Sequence, residues 1–316
     1  MSAGEIIREA HPGAAARARE FLGSLATYPR TVWRHRGIIS NFYFRELRAR
    51  FRGTVLGFAW PFVLPLALFL VYYFVFAELL GARLGLGTSS ADLTDEVRKR
   101  WFTVYLFAGV IVWAGFAESI LRNVTVILEN ANLIKKIAFP SEVLPLNTIL
   151  VAVTIQAIAI AAYLVVAPML GWNPISWRLL ALPLLFLAQI LFSLGPSLAV
   201  AASNVFIRDT APLLGIVMTL WQFITPVFWA RQVVQGIEQY AWVLSWNPMY
   251  YLLEGYRKVL VNPGLPSYQA EDAKHAFPVA EWPFHECLYV LAAGAVVFAA
   301  GYSIFLVSKR KFADEL

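Results

Sequence analysis

The side chains able to do chemistry in this 316-residue sequence are basic and aromatic rather than nucleophilic or metal-binding. The four histidines stand apart at 11, 35, 275 and 285, and Cys287 is the single cysteine. Neither a thiolate metal cage nor an intrachain disulfide framework has residues enough. There is no HExxH motif, no paired-carboxylate arrangement and no GxxxxGK[ST] phosphate loop. The chain therefore holds no catalytic or metal set and no means of hydrolysing ATP by itself. Contact chemistry remains. Arg48, Arg50 and Arg52 recur at every second position, Lys135 and Lys136 are adjacent, and Arg208 stands beside Asp209. Guanidinium groups suit bidentate contact with phosphate. Rings gather at Trp60, Tyr72, Tyr73, Trp113, Phe116, Trp221, Phe223, Phe228 and Trp229. Their faces can pack weakly and repeatedly against the C–H bonds of sugars, or meet lipid.

These groups are set in a chain that is 59% hydrophobic and 15% charged, with a mean hydropathy of +0.62. That is more apolar surface than a soluble core of this length hides, and it predicts an all-α, multi-pass membrane protein. Uncharged windows of about 20 residues predict six spans, at 53–77, 101–121, 143–170, 179–204, 210–230 and 287–308. Glu118 is the one acid inside them. Most of the 26 Lys and Arg fall on the side that an even number of spans gives to both termini, which makes that side cytoplasmic. The net charge of +6 is concentrated near the N-terminus beside a span, so anionic headgroups rather than nucleic acid are its expected partner.

The expected organisation is a cytoplasmic N-terminal segment over 1–52, a transmembrane domain over 53–308 and a cytoplasmic tail over 309–316. Residues 1–30 lack the sustained apolar run of a cleavable leader. Ile39, Phe42, Tyr43, Leu47 and Phe51 then recur three or four apart among arginines, which predicts an interfacial amphipathic helix. A plain basic anchor and a helix that guides substrate or a partner both fit that pattern. Residues 241–253, broken by Asn247 and Pro248, are too short to span and predict a re-entrant or surface helix pair before an external loop.

Between the second and third spans lies ENANLIKKIAFPSEVLPL, from Glu129 to Leu146. Leu133, Ile134, Ile137 and Phe139 supply apolar anchors while Lys135 and Lys136 stay in water, and Pro140 ends any helix. An ordinary connecting loop and a helix lying beside the membrane both suit it. This stretch resembles the cytoplasmic coupling loop of ABC-2 type polysaccharide-export permeases. Three further stretches resemble the same family in the same order: LRARFRGTVLGFAWPFVLP from Leu47, NVFIRDTAPLLGIVMTLWQFITPVFW from Asn204, and WNPMYYLLEGYR from Trp246.

The resemblance implies a permease subunit that exports a lipid-linked cell-surface polysaccharide, with O-antigen preferred over capsule or teichoic acid, across the bacterial inner membrane. It implies a homodimer served by two copies of a separate nucleotide-binding subunit, which binds ATP and Mg. Docking of that subunit would fall on Asn130, Asn132, Leu133, Ile134, Lys135, Lys136, Phe139 and Pro140, joined by Arg208 and Asp209. Spans one and five would flank the channel, with the aromatic set as its lining. Arg48, Arg50, Arg52 and Arg208 would meet the lipid phosphate at the cytoplasmic entrance. The sequence FIRD departs from the family's FRD pattern by one inserted residue. An ABC-2 exporter of a drug or small lipid is the alternative within the same fold. A membrane glycosyltransferase or polymerase is the alternative outside it, and would want more intramembrane carboxylates than Glu118.

Overall fold

The computed structural model describes residues 23, 25, 27–50, scattered positions from 52 to 75, and 95–136, 139–169, 175–229, 237–261 and 282–315. All regular structure among the described residues is helical. Helix α1, Arg36–Ala49, continues from a helical turn at 27–34. Then come α2 (Asp95–Asn123), the short α3 (Val126–Glu129) and α4 (Ala131–Lys136), and α5 (Val143–Met169). A 3-10 turn, Trp177–Ala181, leads into α6 (Leu182–Phe206), followed by α7 (Thr210–Ile224), α8 (Ala241–Ser245) and α9 (Pro248–Leu260). The long α10 (Phe284–Lys309) and the short α11 (Phe312–Glu315) complete the described chain.

Among the described residues four helices are long and apolar enough to cross a membrane: Phe102–Asn123, Val143–Met169, Trp177–Phe206 and Phe284–Lys309. They coincide with the predicted second, third, fourth and sixth spans to within three residues at each end, and the protein is a multi-pass, all-helical membrane protein. The predicted first span, 53–77, lies largely outside the described residues. The predicted fifth, 210–230, is not one continuous helix. Helix α7 stops at Ile224, and Thr225 is extended with φ −84° and ψ 136°. Pro226 is the reason, because its ring disfavours helical geometry at the residue before it. Fifteen residues give α7 about 22 Å of length, short of a hydrocarbon core of about 30 Å.

Packing is tightest between α6 and α10, where three glycines remove the side chains that would hold the helices apart. A Cβ on Gly195 would lie 2.4 Å from the Val297 carbonyl oxygen, and one on Gly301 would lie 2.0 Å from that of Gly195. Gly294 meets the backbone of Phe192 in the same seam. Close approach through small residues is how helices associate where lipid is as apolar as their own side chains. Helix α9 is buried against α2, α6 and α10, with Leu252, Leu253, Tyr256 and Val259 fully enclosed. It belongs to the core despite its 13 residues. A second apolar cluster joins Ile127, Leu144, Leu198, Ala201 and Phe305 around the ends of α3, α5, α6 and α10.

Gly301→Val should lower the melting temperature of the purified protein, at a cost of about 1–3 kcal/mol as expected of overpacking. Gly215→Ala, with nothing within 4 Å of its Cβ position, should leave it unchanged or slightly higher. Thermal unfolding in detergent followed by tryptophan fluorescence distinguishes the two.

Candidate functional site

The segment between α2 and α5 is built from two short helices folded back against the core. Helix α2 ends at Asn123, whose amide donates to the Ser119 carbonyl and, at 3.2 Å, to that of Pro145, so the exit of one span is tied to the entry of the next. Asn130 closes α3 by donating from its side chain to the Val126 carbonyl, while its own carbonyl accepts from Leu133 and Ile134 to start α4. Ile134 and Phe139 pack on the second apolar cluster. Asn132 and Lys135 are exposed, and Leu133 and Pro140 are half-buried. The segment is therefore amphipathic, with one face on the core and one open. Lys136 is helical with its side chain outside the described set, and Ile137 lies outside the described residues.

Three elements brace this segment. The Phe42 ring of α1 meets Phe139 at 5.5 Å between centroids. Glu142 is nearly buried at the foot of α5, where its carboxylate accepts from Lys309 of α10 at 2.5 Å and its backbone carbonyl accepts from the Tyr28 hydroxyl at 3.3 Å. Tyr28 itself packs edge-on against Phe298 and Tyr302 of α10. Neither Glu142 nor Lys309 stands out in the sequence, because a partner 167 residues away leaves no local pattern.

Helix α1 lies along α5 through polar as well as apolar contacts. Asn147 donates to Glu46 at 2.7 Å, and Tyr43 and Thr154 share a hydrogen bond of 2.9 Å. Burial pushes the Glu46 carboxyl above its ordinary range, while Arg50 and Arg122 pull the other way. Of the predicted phosphate-binding arginines, Arg48, Arg52 and Arg208 are exposed. Arg50 instead turns inward and donates to Glu118 of α2 at 2.9 Å, with Arg122 3.8 Å from the same oxygen. Arg208 and Asp209 occupy the exposed turn between α6 and α7, next to Phe206, whose ring meets Phe312 of α11. Val126 and Ile127 of α3 share the second cluster with Leu198, Ala201 and Ala202 of α6, so the two candidate docking turns rest on one core.

The aromatic set divides. Trp113, Phe116 and Phe228 are buried inside the chain. Phe116 stacks on Phe192 at 5.1 Å, and Trp221 closes edge-on over both Trp113 and Phe116. These buried rings serve packing. Trp60 and Phe223 are exposed, and Trp221 and Trp229 are half-buried. Tyr72 and Tyr73 lie outside the described residues.

Of the polar groups that organise the break after α7, Asn247 was singled out from the sequence only as a helix break, and Arg257 was not singled out. Arg257 of α9 is fully buried, donating to the carbonyls of Pro226 at 2.6 Å and Val227 at 2.9 Å and pairing with Glu254 at 3.0 Å. Its guanidinium lies 3.5 Å from the centre of the Tyr105 ring. Asn247 caps α9 by accepting from Met249, accepts also from the Trp221 indole, and donates to Thr225. Gln156 and Gln189 exchange two hydrogen bonds in the core, and Tyr256 donates to Gln189. One signal was available: Arg257 follows an apolar run in the stretch WNPMYYLLEGYR, and a charge carried inward there needs partners.

Residues 40–261 match the ABC-2 type transporter family. The chain is 29% identical to the O-antigen export system permease protein RfbA of Myxococcus xanthus over 288 residues, which cover 91% of this chain and 98% of that protein. A protein of the same name from Klebsiella pneumoniae is 26% identical over 280 residues, covering 88% of this chain and 93% of its own length.

Replacing Arg257 with Gln would leave the two carbonyls and Glu254 without their charged donor. The expected loss is about 3–5 kcal/mol, as for breaking a buried ion pair. Thermal unfolding of the variant checks it, and Arg257→Lys should recover only part of the loss, since an ammonium cannot reproduce the fork.

Proposed function

Because the chain belongs to the ABC-2 type transporter family, we propose that it is the transmembrane subunit of an exporter of lipid-linked O-antigen across the bacterial inner membrane. The observation that carries this reading is the near full-length likeness to relatives named as O-antigen export permeases. The working assembly is a homodimer of six-span subunits with cytoplasmic termini, and α1 is its interfacial amphipathic helix. Two copies of a nucleotide-binding subunit supply ATP and Mg, since a long polar glycan is costly to desolvate and this chain has no phosphate loop.

The geometry supports a route for the work. The nucleotide-binding subunit docks on α4 at Asn132, Leu133, Lys135 and Lys136, and on the turn at Arg208 and Asp209. Asn130, Ile134, Phe139 and Pro140 hold α4 to the rest of the chain. A tilt of α4 is carried to α1 through Phe139 and Phe42, and to α10 through Glu142 and Lys309. The turn at Arg208 carries the same motion into α7. Span one and α7 flank the channel, where Trp60, Trp221, Phe223 and Trp229 offer their rings to the sugar chain, with Tyr72 and Tyr73 on the same span as Trp60. Trp113, Phe116 and Phe228 pack behind them. Helices α8 and α9 form the re-entrant pair on the external side. Arg48, Arg52 and Arg208 meet the lipid phosphate at the cytoplasmic entrance, with Arg50 behind them.

The double variant Lys135→Glu, Lys136→Glu should fold and insert normally, yet uncouple ATP turnover from export. Cells carrying it should lose surface O-antigen while the purified complex still hydrolyses ATP. Normal surface glycan in this variant would remove the coupling assignment.

A further inference from the structure

Of the last eight residues, KRKFADEL, only Lys309 has a part in the route proposed above. Their composition is that of a solvated tail, yet Phe312 is only 1% exposed. A free end does not bury a phenyl ring, so the chain turns back after α10 to place it. The Lys311 amide closes that turn by donating to the Ser308 carbonyl at 2.9 Å, and α11 begins at the next residue. Phe312 meets Phe305 of α10 edge-on at 5.5 Å, and meets Phe206, the last residue of α6, at 6.3 Å. It belongs to the second apolar cluster, with Ile127 of α3 and Leu144 of α5.

Lys309 makes the other contact. It lies in the last turn of α10, and its ammonium donates to Glu142, which stands immediately before α5. The pair joins the carbonyl end of one helix to the amide end of the next, and each charge sits where its own helix dipole favours it. With side chains 35% and 10% exposed, the two ions are partly out of water and less screened than a surface pair. Lys309 thus holds the chain that follows α4, while Phe312 rests against Phe206 at the base of the turn between α6 and α7. That turn is itself closed, since the Thr210 amide and hydroxyl both donate to the Ile207 carbonyl, at 3.1 and 2.6 Å. Phe312 is three residues beyond Lys309. Fully extended, that length of chain reaches at most about 11 Å. Neither turn can move far from the other without breaking the ion pair or unseating the ring.

We propose that the turn from Lys309 to Phe312 is a strap joining the two docking turns, with Lys309 and Phe312 as positioning residues that make a nucleotide-binding subunit move both turns together. The proposal rests on the reading of α4 and of Arg208 and Asp209 as the docking points, and adds a direct tie between them. The shared apolar core fixes where the two turns stand, and the strap limits how far one shifts relative to the other. Loss of the strap leaves docking and ATP turnover in place and lets one turn move without the other.

The test pairs a distance measurement on the purified full-length protein with a transport assay. Spin labels at Asn132→Cys and Ile207→Cys, both exposed positions, report the separation of the two turns by double electron–electron resonance, with Cys287→Ala removing the native thiol. Phe312→Ala should broaden the distance distribution, and Phe312→Leu, which refills most of the site, should restore the wild-type width. Ile149→Ala, in the same cluster but about two turns further along α5 than Glu142, should lower the melting temperature and leave the width unchanged. Cells carrying Phe312→Ala should lose surface glycan while the complex with the nucleotide-binding subunit still hydrolyses ATP, and Phe312→Leu should regain export. A width in Phe312→Ala equal to wild type, or an equal broadening in Ile149→Ala, would overturn the strap. Normal export by a Phe312→Ala variant with a broadened distribution would overturn its role in coupling. The width is read without ATP, partner or cargo, so it stands or falls apart from the export reading.

Discussion

The structure depends on the cost of leaving a polar group unpaired in an apolar interior. Hydrocarbon offers no competing donors or acceptors, so each break in a helix and each buried charge must find its partner within the protein. Arg257 meets this constraint from both sides. It needs acceptors because its side chain is wholly buried, and the carbonyls of Pro226 and Val227 need donors because the helix before them has ended. Each solves the other's deficit. The end of α7 is thereby fixed against α9, and Gly109 of α2 fits beneath, where a Cβ would lie 2.1 Å from the Val227 oxygen. The Gln156, Gln189 and Tyr256 cluster applies the same rule to α5, α6 and α9, and Gly115 makes room for the Gln156 side chain.

The segment between α2 and α5 shows how local forces acquire long reach. Nothing within α4 makes it stable alone, since six residues are below the length at which an isolated helix persists. It rests on the second cluster through Ile134, and the chain that follows it is held by Phe139 on Phe42 and by Glu142 on Lys309. The segment therefore touches α1 through Phe139 and α10 through Glu142. The glycine seam between α6 and α10 gives those contacts a rigid body to act against.

Much of this was legible from composition and period. Apolar windows located the four described spans, and the alternation around Lys135 marked an amphipathic segment. Two kinds of information were not legible. Contacts between distant positions, such as Glu142 with Lys309 or Arg50 with Glu118, leave no local period. Ring chemistry alone does not separate core from lining: Trp113, Phe116 and Trp221 pack on one another, yet the first two are buried while Trp221 is only half-buried. The break at Pro226 was written in the sequence, but the apolar run on both sides of it reads as a single span.

The central claim is that this chain carries a completed lipid-linked glycan across the inner membrane. It is tested most directly by deleting the gene in its host and following lipid-linked glycans by mass spectrometry in the inner membrane and at the cell surface. The account predicts full-length lipid-linked polymer trapped inside and a bare surface. An unchanged surface glycan, or polymer that is absent or truncated, would contradict it.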